Sequence, residues 1–135
     1  MISRFVFILL TFVSLLSRGF ATSQIPLTLY SDDDLKVKFL FFVAADGSYL
    51  SDTPACHKSS CQAAKILTAS SSMPRQAIDT GDGGKNPADL LCQKLKGENA
   101  TFYNAEGDEV AVCVFPDGSR VLAWDLHRAH YHIKK

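Results

Sequence analysis

The chain contains 135 residues, and 14 lysines and arginines balance 14 aspartates and glutamates, so its formal net charge is zero. This balance argues against a nucleic-acid partner, because proteins that bind phosphate backbones carry a basic surface. The length suits one small domain with a modest apolar core.

Residues 1–21 have the three-part pattern of a secretory signal peptide. Arg4 supplies a positive charge, an apolar run follows at 5–16, and small residues precede Thr22. The run is shorter than the roughly 17–25 residues that cross a bilayer. We therefore expect cleavage, a mature chain that begins near Thr22, no stable membrane anchor after cleavage, and a periplasmic or secreted location.

The mature part contains four cysteines, and an even number in an exported chain predicts two disulfides. They are Cys56, Cys61, Cys92 and Cys113. Three pairings are possible, and local spacing favours Cys56–Cys61 and Cys92–Cys113. The second bond would close a loop of about twenty residues and contribute about 3 kcal/mol. A zinc site is the alternative, but the spacing lacks the repeated knuckle of zinc-binding cysteines.

Short runs of aromatic and β-branched residues between turn signals predict that residues 22–85 are a region of strands and loops. The predicted elements are an extended arm at 22–31, a buried strand at 36–45, a turn at 46–47 with a partner strand from Tyr49, a disulfide-closed loop at 54–61 and a short helix at 62–69. Residues 70–85 are rich in serine and glycine and predict a linker or mobile loop.

Residues 86–135 are predicted to form a helix-plus-hairpin unit. Asn86 suits an N-cap and Gly97 suits a left-handed end, so a helix is expected over 87–96. The other predicted elements are strands at 100–103, 109–115 and 119–124, a Pro-Asp-Gly turn at 116–118 and a final short helix capped by Asp125. The predicted fold class is α+β, a small disulfide-stapled domain with a helix packed on a short antiparallel meander, preceded by an N-terminal strand region.

A set of residues at fixed spacing in this unit resembles a known family. The residues are Asn86-Pro87-Ala88, Cys92, Cys113, Pro116-Asp117-Gly118-Ser119, Trp124 and Arg128. Over residues 86–131 the pattern is similar to a family of small exported bacterial domains of unknown function, often labelled "putative hemolysin". The resemblance implies a bacterial source. It does not indicate a pore, because the mature chain has no long amphipathic or membrane-inserting stretch.

The sequence departs from the family pattern at two positions where the family often has further cysteines. Val121 and Tyr131 occupy these positions here. Their joint replacement is what would follow if those cysteines normally pair with each other, so the resemblance supports a bond between Cys92 and Cys113. Ala123 replaces the family's usual acid before the tryptophan, which puts any role of that acid in doubt.

Three residues of this region are candidates for binding: Asp117, Trp124 and Arg128. Trp124 is expected to be the main core residue of the domain, and Arg128 could stack on its indole if the chain turns helical there. Arg128 is also the candidate contact for a carboxylate or phosphate group of a partner. Asp117 is most simply a turn residue that bonds its own backbone.

His127, His130 and His132 form an H-x-x-H-x-H cluster near the end of the chain. Imidazole suits Zn²⁺, Cu²⁺ or Ni²⁺, and His127 and His130 could share a helical face. The favoured alternative is a solvated polar tail, since residues 131–135 offer little to orient the ligands. We expect no cofactor.

The sequence as a whole favours a secreted or periplasmic, non-enzymatic binding module with an unidentified protein partner. The expected contact surface combines residues 70–85, the hairpin tip and the exposed side of Arg128. The loop at 54–61 would also suit an inhibitor, because a rigid loop binds an enzyme cleft at low entropic cost. The alternatives are a hemolysin-like secreted toxin or virulence factor and a small metal-binding protein that uses the histidines.

Overall fold

The structure is a computed structural model that describes residues 25–32, 34–72, 76–77 and 84–132. The predicted signal peptide at 1–21 lies outside these residues and stays a prediction from the sequence. The predicted loop at 70–85 is described only in part, and that part is not a loop throughout, because residues 62–72 form a helix and residues 76–77 a short strand. The rest of this loop stays a prediction.

Groups of strands are separated by helices along the described part of the chain. The strands are β1 (Leu27–Tyr30), β2 (Lys38–Val43), β3 (Tyr49–Ser51), β4 (Gln76–Ala77), β5 (Glu98–Tyr103), β6 (Glu109–Val114), β7 (Arg120–Leu122) and β8 (Tyr131–His132). The helices are α1 (Pro54–His57), α2 (Gln62–Ser72), α3 (Pro87–Lys94) and α4 (Ala123–His130).

Six of the strands close into an antiparallel barrel in the order β1-β2-β3-β7-β6-β5. The predicted meander is confirmed, since β5, β6 and β7 are consecutive neighbours, and α3 packs against β5 and β6. The closed barrel corrects the predicted fold, because β1, β2 and β3 join this meander instead of preceding it as a separate region. The strands β4 and β8 form a separate two-stranded parallel sheet.

The two halves of the barrel repeat one another. The hairpins β2–β3 and β6–β7 are each joined by a turn with the sequence Asp-Gly-Ser, at 46–48 and 117–119. Leu50 and Val121 lie at equivalent positions after these turns and face each other across β3 and β7. The barrel is therefore built from two three-stranded meanders related by an approximate two-fold axis.

Like the junction between β3 and β7, the junction between β1 and β5 is short. Tyr30 and Tyr103 form its one residue pair, whereas β5 and β6 are in register along their full lengths. On the inner side of this junction the rings of Phe39 and Phe102 stack with their centroids 5.1 Å apart. Aromatic packing thus helps to close the barrel where strand pairing is short.

The alternation of strand side chains produces two cores, one inside the barrel and one between the barrel and the helices. The inner core contains Leu29, Phe41, Phe102 and Val112. The outer core contains Leu50, Leu67, Leu91, Cys92, Cys113, Val121, Leu126 and Tyr131 among others. β2 is consequently half-buried and not fully buried as predicted, and Leu40 on its outer face is 52 % exposed.

Both predicted disulfides are present. Cys56–Cys61 joins α1 to the residue before α2, and Cys92–Cys113 joins α3 to β6. The segment 54–61 differs from the predicted loop because it begins with the helical turn α1. Thr53 caps this turn by accepting a hydrogen bond from the N–H of Cys56.

The end of α3 places the backbone directly against the Cys92–Cys113 bond. The residue with a left-handed conformation is Lys96, at φ +68°, and not Gly97 as predicted. Gly97 is required for a different reason. A Cβ atom at this position would overlap Sγ of Cys113 and lie 2.9 Å from Sγ of Cys92, so only glycine fits.

We expect Gly97→Ala to destabilise the fold by about 3 kcal/mol, the upper end of the usual cost of overpacking. The added methyl group would have to displace the disulfide or the backbone beside it. Gly107→Ala is the control: Gly107 has φ +85°, but an added Cβ would meet nothing within 4 Å, so the cost should be about 1 kcal/mol. Urea unfolding measures both variants. Equal losses of stability in the two variants would contradict the close approach of the backbone to the disulfide at Gly97.

Reduction of Cys92–Cys113 should loosen α3 more than the β6–β7 hairpin. The bond ties α3 to the barrel, whereas the hairpin keeps its strand register and the buried side chain of Val121. A variant with Cys56→Ala and Cys61→Ala isolates this bond. Hydrogen exchange after reduction should show earlier opening of α3. Earlier opening of the hairpin would contradict this expectation.

Candidate functional site

Trp124 is 52 % exposed, so the prediction that it is the main core residue is wrong. The physical reason is the position of the strand end. β7 ends at Leu122, two residues before the predicted end, and α4 begins at Ala123. Helical spacing then buries Ala123 and Leu126 and leaves Trp124 on the outer side. A large apolar ring is thereby presented to solvent, as is common in binding sites.

Trp124 borders an open groove of about 420 Å³, which we call the Trp124 groove. The groove is lined by Asn86, Asp89, Thr101, Glu109, Val110, Ala111, Leu122, Trp124 and Asp125. These residues come from the starts of α3 and α4 and from β5, β6 and β7. The volume falls within the range of ligand-binding clefts.

Two carboxylates of the groove, Asp89 and Glu109, have no partner among the residues that the structure describes. Asn86 begins α3 as predicted, because its side chain accepts a hydrogen bond of 2.9 Å from the N–H of Ala88. Asp89 follows in the first turn, where the positive end of the helix dipole stabilises a carboxylate. Within the described residues, neither Asp89 nor Glu109 has an ion pair or a side-chain hydrogen bond. Their negative charge is therefore available to a ligand.

The third carboxylate of the groove, Asp125, is used inside the protein. It lies in the first turn of α4 and does not cap the helix as predicted. Its Oδ2 accepts a hydrogen bond from the N–H of Tyr49 at 2.8 Å, and its Oδ1 accepts one from Arg128 at 2.9 Å. Arg128 pairs with Asp125 and does not stack on Trp124, whose ring makes an edge contact with His127 at 5.3 Å.

Asp117 is used in the fold to hold the start of α2. Its Oδ2 accepts a hydrogen bond of 2.7 Å from the N–H of Gln62, and its Oδ1 accepts bonds from the N–H and hydroxyl of Ser119. The Ser119 hydroxyl oxygen in turn accepts a bond of 2.9 Å from the N–H of Ala63. The β6–β7 turn thus caps α2 and satisfies two N–H groups that a helix start leaves unpaired.

These hydrogen bonds determine the charge state of Asp117. Burial alone would raise the pKa of Asp117, but the bonds from Ser119 and from the backbone of Gln62 outweigh it, and the pKa lies below its ordinary value. A carboxylate with a lowered folded-state pKa stabilises the fold fully above its unfolded pKa of about 3.9. That stabilisation is lost as the pH falls through the folded-state pKa.

Asp117→Asn should destabilise the protein by about 1 kcal/mol at neutral pH, the usual contribution of a helix cap. The difference from the unmodified protein should shrink below about pH 4, where Asp117 itself becomes protonated. Asp46→Asn is the matched control, because Asp46 makes the same turn with Ser48 but caps no helix. Urea unfolding as a function of pH measures both. A loss that does not change with pH, or an equal loss in the control, would contradict the capping role.

The structure describes the side chains of two of the three C-terminal histidines. His127 is buried, with its ring 5.0 Å from that of Tyr131. Burial and the nearby charges of Lys94 and His127 lower the pKa of His130, which favours its neutral form. Within the described residues, no group of three or more potential metal ligands converges. The side chain of His132 lies outside them, so the metal site stays a prediction from the sequence.

Arg120 is a candidate residue that the sequence patterns did not identify. It begins β7, and its guanidinium carbon lies 4.2 Å from the ring centroid of Phe39 and 6.0 Å from that of Phe102. Its Nε is buried and has no hydrogen-bond partner in the part of the chain that the structure describes, and burial lowers the pKa of Arg120. In the sequence, the signal that could have identified Arg120 is a charged residue at a position of a predicted strand that faces inward.

The segment 54–61 is anchored to the fold on several sides. Cys56 and Cys61 are both buried. His57 bonds through Nε2 to the carboxylate of Asp52 at 2.5 Å, and its ring stacks on Phe42 with the centroids 3.9 Å apart. A helical turn held in this way offers no extended segment for an enzyme cleft. The inhibitor hypothesis therefore gains no support from this loop.

A family model described as "Domain of unknown function (DUF333)" matches residues 83–130. The match covers α3, the meander β5–β6–β7 and α4. The match supports the resemblance to a family of small domains of unknown function. The description of the matching family does not contain the hemolysin label. The strands β1, β2 and β3 lie outside the matched residues. The chain has no match among curated proteins or solved structures.

The cysteines indicate the environment in which the protein is stable. Both pairs are oxidised, and structural disulfides of this kind are typical of oxidising compartments. They therefore favour a location outside the reducing cytosol. In the ranges that the structure describes, no helix combines the length and the apolar character needed to span a membrane.

Proposed function

We propose that the protein is a non-enzymatic binding module of an oxidising, extracytoplasmic compartment, and that the Trp124 groove receives a positively charged segment of a partner protein. The observation that carries the proposal is the half-exposed indole of Trp124 beside the unpaired carboxylates of Asp89 and Glu109. An arginine or lysine side chain complements both features at once.

The indole of Trp124 suits a cation. Tryptophan is the aromatic residue that attracts guanidinium and ammonium groups most strongly, by about 0.5–1 kcal/mol at an exposed site and more when water is excluded. The groove wall shields one side of the bound group from water. A guanidinium that stacks on the ring keeps its N–H groups free in its own plane, parallel to the ring, where they can bond to carboxylates.

The carboxylates of the groove provide charge complementarity. Asp89 and Glu109 lie on different elements, α3 and β6, and both line the groove. Hydrogen bonds between a guanidinium and a carboxylate are roughly twice as strong as neutral ones. The same charges disfavour an anionic ligand. Two helices begin at this groove and their N-termini would favour an anion, but Asp89 and Asp125 already place negative charges in these first turns.

The shape of the groove favours a protein segment over a free small molecule. Small ligands are usually held in clefts that enclose most of their surface. The Trp124 groove is open, so a single side chain enters it while the rest of the partner lies on the surrounding surface. An exposed tryptophan with a polar rim is also typical of residues that dominate protein interfaces.

Trp124 is the only tryptophan of the chain, so its fluorescence reports directly on the groove. Titration with a tetra-arginine peptide should change this emission saturably, and the affinity should fall as salt screens the charge pairs. The combined change Asp89→Asn and Glu109→Gln should weaken binding by about tenfold or more, which corresponds to about 1.4 kcal/mol. A tetra-glutamate peptide should leave the emission unchanged.

The double variant also alters the net charge, so a control at a carboxylate outside the groove is needed. Glu106→Gln removes a carboxylate on the exposed β5–β6 turn, outside the groove, and should leave the affinity for tetra-arginine within about twofold of the unmodified protein at moderate salt. Binding of tetra-glutamate would contradict the proposal. An equal loss of affinity in Glu106→Gln would mean that the overall surface charge, and not the groove, causes the effect. This result would also contradict the proposal.

A further inference from the structure

Arg120 carries a charge that the described part of the chain does not neutralise. Its Nε is buried without a hydrogen-bond partner, and no ion pair or hydrogen bond engages its guanidinium within the described residues. The ring of Phe39 lies 4.2 Å from the guanidinium carbon and holds the group in place. A ring, however, does not replace an oxygen acceptor for the five N–H donors of a guanidinium. Arg120 is only partly buried, but its Nε is enclosed without an acceptor among the described residues, and an oxygen of a bound anion would satisfy this donor.

The approximate two-fold symmetry of the barrel provides an internal comparison. Tyr49 and Arg120 each follow the serine of an Asp-Gly-Ser turn, and they lie on opposite sides of the Leu50–Val121 pair. The hydroxyl of Tyr49 donates a hydrogen bond of 3.2 Å to the carbonyl of Ile25. The polar tip of Tyr49 is therefore satisfied within the chain, while that of Arg120 has no partner among the described residues.

The surroundings of Arg120 allow access. The guanidinium lies near the stacked rings of Phe39 and Phe102, at the β1–β5 junction that has a single residue pair. Arg120 as a residue is only partly buried. Glu98 occupies the same face of the sheet beyond Val114, but it is exposed and makes no ion pair with Arg120. An anion can therefore approach from solvent without opening either core.

We propose that the barrel end around Arg120, the Arg120 site, binds an oxyanion, which is the carboxylate or phosphate group of a ligand. The guanidinium donates to the oxyanion, and the ring of Phe39 fixes its orientation. Arginine suits this role because its planar fork matches both oxyanions and stays charged at all relevant pH values. The proposal is independent of the Trp124 groove, which has the opposite charge.

Nuclear magnetic resonance of the ¹⁵N-labelled protein tests the Arg120 site, because the Nε–H group of an enclosed arginine gives its own signal. Inorganic phosphate and acetate are titrated separately at constant ionic strength with chloride as the counter-anion. Saturable shifts of the Arg120 Nε–H signal by either anion support the site, and the anion that acts distinguishes a phosphate site from a carboxylate site. No saturable shift with either anion overturns the proposal.

Variants separate this site from general surface charge. Arg120→Gln should abolish the saturable shifts of the neighbouring backbone signals, and Arg120→Lys should weaken binding by about tenfold because the forked geometry is lost. Arg128→Gln is the matched control, since Arg128 is an exposed arginine already paired with Asp125, and it should leave the titration unchanged. An equal loss of the saturable shifts in Arg128→Gln overturns the proposal. The titration of the unmodified protein remains decisive if Arg120→Gln folds poorly.

Discussion

The bond between Cys92 and Cys113 is the constraint on which the arrangement of helices and barrel depends. It joins α3 to β6 inside the core between the two layers. Gly97 allows the returning backbone to pass directly over the bond, so β5 can start immediately beyond α3. Because α3 is held in this position, Asn86 and Asp89 at its start are placed on the Trp124 groove. The disulfide therefore helps to position the candidate site, because it anchors the helix that contributes Asn86 and Asp89.

The β6–β7 hairpin connects three helices by three different means. It reaches α3 through the disulfide, and it continues directly into α4 after Leu122. It reaches α2 through its turn, where Asp117 and Ser119 accept hydrogen bonds from the first N–H groups of that helix. These links belong to one hairpin, so its position fixes the position of parts of all three helices. β7 also lies between the two candidate sites, because it carries Arg120 at one end and precedes Trp124 at the other.

The elements that the sequence predicted correctly are those decided by local chemistry. Asn86 and Pro87 define the start of α3, the Asp-Gly turns define the hairpins, and the even number and local spacing of the cysteines indicate the disulfides. The closed barrel could not be predicted in this way. Each of the two junctions that close it contains one residue pair between distant parts of the chain. The repeat that relates the two halves is equally weak in the sequence, where the shared Asp-Gly-Ser turn is its clearest trace.

The candidate sites were missed or misjudged for a related reason. Whether Trp124 is buried depends on whether β7 ends before or after it, and a shift of two residues changes a core residue into a surface residue. The inward side of Arg120 depends on the closed barrel, because an open three-stranded meander would leave the same face to solvent. Both outcomes follow from long-range geometry and not from the residue types themselves.

Val121 and Tyr131 show how this chain replaces a covalent bond with packing. The resembling family often has cysteines at these positions, and a disulfide closing a loop of about ten residues would contribute about 3 kcal/mol. Here Val121 and Tyr131 are both buried in the core between barrel and helices. Burial of a large apolar side chain contributes about 1.5–3 kcal/mol, so the two residues together are able to match the missing bond. Their contribution does not depend on oxidation, so we expect the packing of α4 on the barrel to be less sensitive to reduction than that of α3.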